Sequence, residues 1–328
     1  MKIMSNGGFS GRFKMEVRDA YTNKLTKVRE FDNIVVNNGL HIKSKVGLGN
    51  EANVIVGTGT KVPAATDTDL DNRVAISSTS LGMEQTSNKG APDYITSGTS
   101  SCRFNAGTFD GTTLTEVGIK YAYENGIFCR ALILDEEGKP SSITVLKNEY
   151  LDVTYTIEFH PDLSEYDFTF KMNNVTYECH SKPALVAHAA FGQFLPMICS
   201  APDIKMLTAY TTQELGDIDK TPGGEWMYGA QSTVKYVEHS DPFTRQNSCF
   251  WPLDPGSYYS DGLTNGNLEG GVGSFILGTG SVQAYHNHIF GAGVYRQVSV
   301  NPKIPKDDKT EMTFMFSYSV DRYTHPTT

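Results

Sequence analysis

Few residues in this chain have the type and spacing for chemistry, and each group falls short of a known constellation. Asp67-Thr68-Asp69-Leu70-Asp71 places three carboxylates close together. Calcium, which takes about six to eight oxygen ligands, favours such clusters. The EF-hand pattern then needs Gly at its sixth position and Glu at its twelfth, where this chain has Asn72 and Ser78. The run is therefore expected to be a polar turn capping a strand or short helix. His286-Asn287-His288 would set two imidazoles on one face of a strand, two-thirds of a metal site. No neighbouring Cys or carboxylate completes it, so polar loop histidines are expected; a partner subunit or a trimer axis is the alternative source of further ligands. Gly57-Thr58-Gly59-Thr60 and Gly278-Thr279-Gly280-Ser281 are only superficially phosphate loops, because Val62 and Gln283 stand where the dinucleotide pattern needs its third Gly. Both are expected to be strand exits where Gly permits positive φ. Asp135, Glu136 and Glu137 lie in a turn signal, where water rather than a cleft surrounds them. No nucleophile elbow of the Gly-x-Ser-x-Gly type is present. The expectation is a non-enzyme with no catalytic residues, no cofactor and no metal. Acid pairs assembled across the fold, as in glycoside hydrolases, stay open as an alternative.

The elements that must carry these residues are short β-type segments bounded by Gly, Asn, Asp and Pro. In Val153 to Phe159, the residues Val153, Tyr155, Ile157 and Phe159 alternate with Thr154, Thr156 and Glu158, the period of a half-buried strand. Similar alternation predicts strands at Phe13 to Val17, Ile119 to Tyr123, Phe128 to Leu134, Ile143 to Leu146, Val234 to Val237 and Met312 to Val320. Asn125-Gly126 signals a hairpin and Asp135 to Pro140 a second turn. Helical candidates are Gly39 to Val46 and Pro183 to Phe194, the latter with Pro183 in the first turn and Ser181 near the cap.

The halves also echo one another. Asn33 to Val36 with Gly39-Leu40 parallels Asn174 to Tyr177 with Pro183 to Leu185; Asn53 to Val56 parallels Leu195 to Ile198. Glu116 to Lys120 parallels Gly273 to Leu277, and Leu151 to Phe159 parallels Met312 to Val320. The expected fold is all-β: two β-sandwich-like domains, 1–160 and 161–328, arising by tandem duplication, each with a short helix.

Composition agrees with two folded bodies. The chain has 328 residues, 39% hydrophobic and 20% charged, with a formal net charge of -9. That length suggests about two domains, each able to bury a core without staples, and the balance argues against disorder. The acidic balance also argues against a nucleic-acid partner. Lys24, Lys27 and Arg29, and Lys43 with Lys45, are read as solvated surface. The 5 cysteines, Cys102, Cys129, Cys179, Cys199 and Cys249, form no paired spacing and read as small buried residues of a protein assembled in a reducing cytoplasm. Met1 to Arg12 lacks an apolar signal core. Ala184 to Pro202 is uncharged, but its two prolines, His188 and Gln193 argue against a membrane span; a buried helix entering a buried strand is expected.

Thr221 to Gly273 is dense in Gly, Pro, Tyr and Trp. Trp226, Tyr228, Trp251, Tyr258 and Tyr259 are its candidate interaction residues, since Trp and Tyr dominate surfaces that are apolar on one side and wet on the other. The competing reading is that they close a core.

Over residues 9–160 the chain resembles small bacteriophage virion proteins of the tail and tail-fibre type. The resemblance rests on ordered segments: Gly11 to Arg18; Phe31-Asp32-Asn33-Ile34-Val35-Val36-Asn37-Asn38-Gly39-Leu40; Val54 to Thr60 leading to Pro63 and Thr68-Asp69-Leu70; Leu114 to Ile119; Phe128 to Ile133; Ile143 to Val145; and Leu151 to Tyr155. Order and spacing carry it rather than any single motif. It implies a structural part of the virion (tail, collar, baseplate or fibre-associated) without catalytic residues, assembled in the host bacterial cytoplasm. Its partners would be copies of itself and neighbouring virion proteins, in a ring or trimer. The alternative reading is a receptor- or glycan-binding module of a tail fibre. A third class, a polysaccharide depolymerase, requires that new reducing ends appear when host surface polysaccharide is incubated with the protein.

Overall fold

The computed structural model describes residues 4–45, 52–78, 85–88, 94–121, 126–184, 204–218, 220–228, 230–231, 244–251, 268–279, 294–310 and 312–323. The chain divides into two compact units. The first is built on Gly8–His160 and takes in the end of the chain from Val320; the second is built on Pro161–Met197 and Pro202–Ser319 and takes in residues before Gly8. The main division falls at His160, but neither unit is the contiguous half 1–160 or 161–328 that was expected.

The first unit contains strands β1 (Met4–Asp19, from Gly8), β2 (Leu25–Asp32) and β3 (Ile34–Val35), helix α1 (Asn37–Lys45), and strands β4 (Ala52–Gly57), β5 (Arg73–Ile76), β6 (Gln85–Asn88) and β7 (Thr96–Phe104). It continues with β8 (Thr112–Leu114), β9 (Glu116–Tyr121), β10 (Ile127–Leu132), β11 (Ile143–Val145) and β12 (Glu149–Pro161). One sheet runs β2-β1-β12-β7-β6, a second β3-β10-β9-β4-β5, and β8 and β11 form a small ribbon.

The alternation of β12 is realised: Val153, Tyr155, Ile157 and Phe159 are buried, with partly exposed residues between them. Phe9 and Phe13 of β1 meet this row, with ring centroids 5.1 Å from Phe159 and 4.9 Å from Tyr155. Strand β10 departs from its expected alternation, for all six residues are buried. Cys129 faces the Tyr155 row, whereas Arg130 faces the Lys61–Asp67 loop, so both sides are covered. A strand covered on both faces loses its polar alternation.

The helix expected from Gly39 forms, beginning at Asn37. Gly39 lies against β10 so closely that a Cβ there would sit 2.0 Å from the Phe128 carbonyl oxygen. Gly39→Ala must therefore push α1 off the sheet. We expect a loss of about 1–3 kcal/mol in urea unfolding; an unchanged midpoint would refute the contact. Gly118, expected to allow close backbone approach, does so, its missing Cβ lying 2.6 Å from the Cys129 carbonyl. The basic cluster around Lys27 is not merely solvated, since the Lys27 ammonium reaches both Glu149 oxygens at 3.1 and 3.0 Å.

The second unit contains β13 (Tyr166–Met172), β14 (Val175–Pro183), β15 (Ile204–Tyr210), β16 (Trp226–Tyr228), β17 (Ala230–Gln231), β18 (Thr244–Trp251), β19 (Val272–Thr279), β20 (Val294–Ile304) and β21 (Met312–Arg322). A six-stranded sheet runs β13-β14-β20-β19-β15-β16, and β17-β18-β21 form another run. In the first, β14-β20-β19-β15-β16 repeats the order β3-β10-β9-β4-β5, with every neighbouring pair antiparallel and the same sequence order in both units. The antiparallel series β6-β7-β12 likewise matches β17-β18-β21. This is the topology a tandem duplication predicts. The details differ from expectation: by strand order the counterpart of β4 is β15 (Ile204–Tyr210) and not Leu195 to Ile198. Asn174 lies in a turn rather than opening a strand, and Pro183 ends β14 instead of starting a helix. Proline is tolerated where a strand stops. Only α1 is helical among the described residues; the helix and strand expected after Ala184, and the strand at Val234 to Val237, lie outside them.

Candidate functional site

The best-built polar centre is in the first unit. Glu116 begins β9 and Arg130 lies in β10, where it is the only charge; they are 0% and 1% exposed. The Arg130 Nη2 stands 2.8 Å from Glu116 Oε2, and its Nη1 donates to Asp67 Oδ2 at 2.6 Å. Nη2 also donates to the Lys61 carbonyl at 2.9 Å. Glu116 accepts the backbone N–H groups of Gly59 at 3.0 Å, Asp71 at 3.0 Å and Asn72 at 2.7 Å. One ion cluster thus ties the chain from Gly57 to Asn72 down onto the sheet. The acidic run is therefore more than an exposed polar turn: Asp67 is buried at its centre, while Asp71 caps the N–H groups of Thr60 and Lys61.

The same cluster corrects the reading of Gly57 and Gly59. Neither has positive φ. A Cβ at either would lie 2.5 Å from Glu116 Oε1, so space for the carboxylate requires the glycines. The Gly59 and Thr60 N–H groups point at carboxylates and are not open to a phosphate.

Burial alone would raise the Asp67 pKa. The Ala64 N–H, Arg130 and Lys61 outweigh it and hold the carboxyl below its ordinary value. Glu149 is lowered in the same way, with burial opposed by the Leu146 N–H, Lys27 and Thr26. A carboxyl with a lowered folded pKa adds stability above its unfolded pKa and loses it as pH falls through the folded value. We therefore expect unfolding free energy to fall progressively below about pH 4.5, with Asp67→Asn and Glu149→Gln each flattening the profile in acid titration.

The second unit carries a buried arginine on β20, the strand equivalent to β10. Arg296 is 1% exposed and donates through Nε to the Ser181 hydroxyl at 2.8 Å and through Nη2 to the Ser164 carbonyl at 2.6 Å. Its guanidinium lies 4.6 Å from the Tyr166 ring centre. Here carbonyls, a hydroxyl and an aromatic face take the place of two close carboxylates; Asp162 stands 3.8 Å off. Burial lowers the Arg296 pKa, against the pull of Tyr166, Asp162 and Glu165.

One row across the six-stranded sheet is mostly polar, and its middle is buried, with Tyr210 and Ser274 2% and 0% exposed. Register places Trp226, Tyr210, Ser274, Ser299, His180 and Asp167 in one row across all six strands. At one end a groove of about 650 Å³ is lined by Asp167, Thr169, Glu178, His180, Ser299 and Asn301. His180 Nδ1 lies 2.8 Å from Asp167, and Nε2 3.3 Å from Glu165. At the other end Trp226 is half-buried. Tyr228 pairs with Thr208 in the backbone register, but its side chain lies outside the described residues. The side chain of Trp251, on β18, lies outside the described residues, as do Tyr258 and Tyr259. Of the five aromatic candidates only the side chain of Trp226 is described, and His286 and His288 fall outside the described residues.

Among the described residues no helix is long and apolar enough to cross a membrane. None of their His, Cys, Asp and Glu side chains gather in threes suited to a metal ion. Arg130 and Glu116 were missed as a pair in the sequence; the available signal was the lone charge of Arg130 in the otherwise apolar strand β10. Comparison with known protein families, with curated proteins and with solved structures finds no match to this chain.

Proposed function

We propose that the chain is a structural component of a bacteriophage particle, placed in the tail, collar, baseplate or fibre region, that acts by binding copies of itself and neighbouring virion proteins. The observation that supports this reading is the repeated strand order: one sandwich is used twice, and its most elaborate charged cluster is closed inside the first copy, where it fastens a loop. A repeated β scaffold with its charges used for architecture suits assembly. The ordered segments of residues 9–160 support the same reading. Mass spectra of intact particles should contain the protein at a fixed copy number, and its absence from them overturns the proposal.

A second reading is favoured by the half-buried Trp226 at one edge of the sheet and the open Asp167–His180 groove at the other. A half-buried indole and a groove lined by carboxylates and an amide each suit a host-surface glycan. Trp226→Ala and Trp251→Ala are then expected to reduce glycan-array binding and host adsorption about tenfold or more, the scale of an aromatic hot spot. Unchanged binding and adsorption would remove this reading.

A further inference from the structure

The outermost strand of the second unit, β13, is built to pair with itself. We propose that two copies of this chain associate through antiparallel pairing of β13 with β13 about a two-fold axis at Thr169, an inference that rests on the self-assembly reading above and names its contact.

The hydrogen-bond parity comes from the hairpin. Asn173 and Asn174 have φ of 49° and 64°, a two-residue turn with both centres left-handed, and Met172 lies opposite Val175. In such a hairpin the flanking pair is hydrogen-bonded, and bonded and non-bonded pairs then alternate. Met172, Phe170, Phe168 and Tyr166 therefore direct their backbone groups to β14. Asp167, Thr169 and Lys171 direct theirs to the open edge, where no strand lies among the described residues. Their side chains are exposed as well.

A two-fold axis through Thr169 sets that residue opposite its own copy and Asp167 opposite Lys171. Those are the residues with outward backbone groups, so N–H and C=O partners match along the whole edge. It also brings the carboxylate of Asp167 next to the ammonium of Lys171 twice, once on each side of the axis. On the other face Phe168 meets Phe170, and Tyr166 meets Met172; all four are half-buried in the single chain. Opposite charges and aromatic pairs directly across strands are the favourable cross-strand combinations. An axis one residue away would place Phe168 or Phe170 on the two-fold and set inward-directed backbone groups against each other.

The test is a cysteine scan under mild oxidation in the full chain. Residues directly opposed in a hydrogen-bonded antiparallel pair have Cα atoms about 5.5 Å apart, within disulfide range. Thr169→Cys should give a covalent dimer, while Asp167→Cys and Lys171→Cys alone should not, and the two together should. Sedimentation then measures association. Lys171→Asp should weaken it about tenfold by setting Asp against Asp at two places, and Asp167→Lys/Lys171→Asp should restore it. Restoration by the charge swap cannot arise from misfolding. Thr169→Pro removes only an edge-facing N–H and should abolish association with an unchanged far-ultraviolet circular dichroism spectrum. A chain monomeric at all concentrations overturns the proposal. Association unaffected by all these variants does so too, while leaving self-assembly through another surface, and so the virion reading, intact.

Discussion

Arg130→Leu is expected to destabilise the first unit by about 3–5 kcal/mol, because it leaves the buried carboxylates of Glu116 and Asp67 without their cation. Both are nearly inaccessible to water, with side chains 0% and 6% exposed, so solvent cannot replace the guanidinium. Three backbone N–H groups continue to hold Glu116. Asp67 keeps the Ala64 N–H and the exposed Lys61. In a unit of this size the loss corresponds to a melting temperature lower by roughly 10 °C. Arg130→Lys keeps the charge but has no planar fork to reach two carboxylates and the Lys61 carbonyl together, so an intermediate loss is expected. Calorimetry on the three proteins decides the matter. A loss under about 1 kcal/mol for Arg130→Leu would mean the cluster contributes no more than a surface pair.

Tyr155→Ala is expected to have a comparable effect for a different reason. The ring is fully buried in the middle of β12, packed 4.9 Å from Phe13 and 6.4 Å from Phe128 by ring centroids. Those neighbours come from both sheets of the first unit, so removing the ring leaves a void that neither sheet can fill alone. Truncating a large buried aromatic costs about 3–5 kcal/mol. Burial also holds the Tyr155 hydroxyl well above the usual tyrosine pKa, so it stays protonated in neutral solution. Tyr155→Phe retains the packing and removes a buried hydroxyl without a hydrogen-bond partner, so its stability should stay within about 1 kcal/mol of the parent. If urea unfolding shows the two variants to be equally destabilised, the hydroxyl and not the ring carries the site.

How much of this was legible in the sequence depends on the range of the cause. The strands at Val153–Phe159, Ile143–Val145 and Met312–Val320 were readable, because alternation is a local record of which side faces the core. The Asp135–Pro140 turn was readable because turn residues act on their own backbone; Gly138 has φ 76°, whereas Asn125 of the other turn signal lies outside the described residues. Strand β10 was misjudged because its second face is covered by the Lys61–Asp67 loop, far away in sequence. Gly57 and Gly59 were identified as special for the wrong reason. The demand on them is space for Glu116, which no local pattern records.

By itself, then, the sequence determined the class of the protein: short β elements, their approximate places, a boundary near His160 and an echo between the halves. These follow from side-chain period and turn chemistry, which act over a few residues. Only the tertiary structure decided which strands are neighbours and that both units share one strand order. It also decided that Asp67 meets Arg130 and Glu116, that Trp226 and His180 share a row, and that the open edge of β13 matches itself. Those relations depend on register and on contacts between residues distant in the chain, and a period of two carries no information about either.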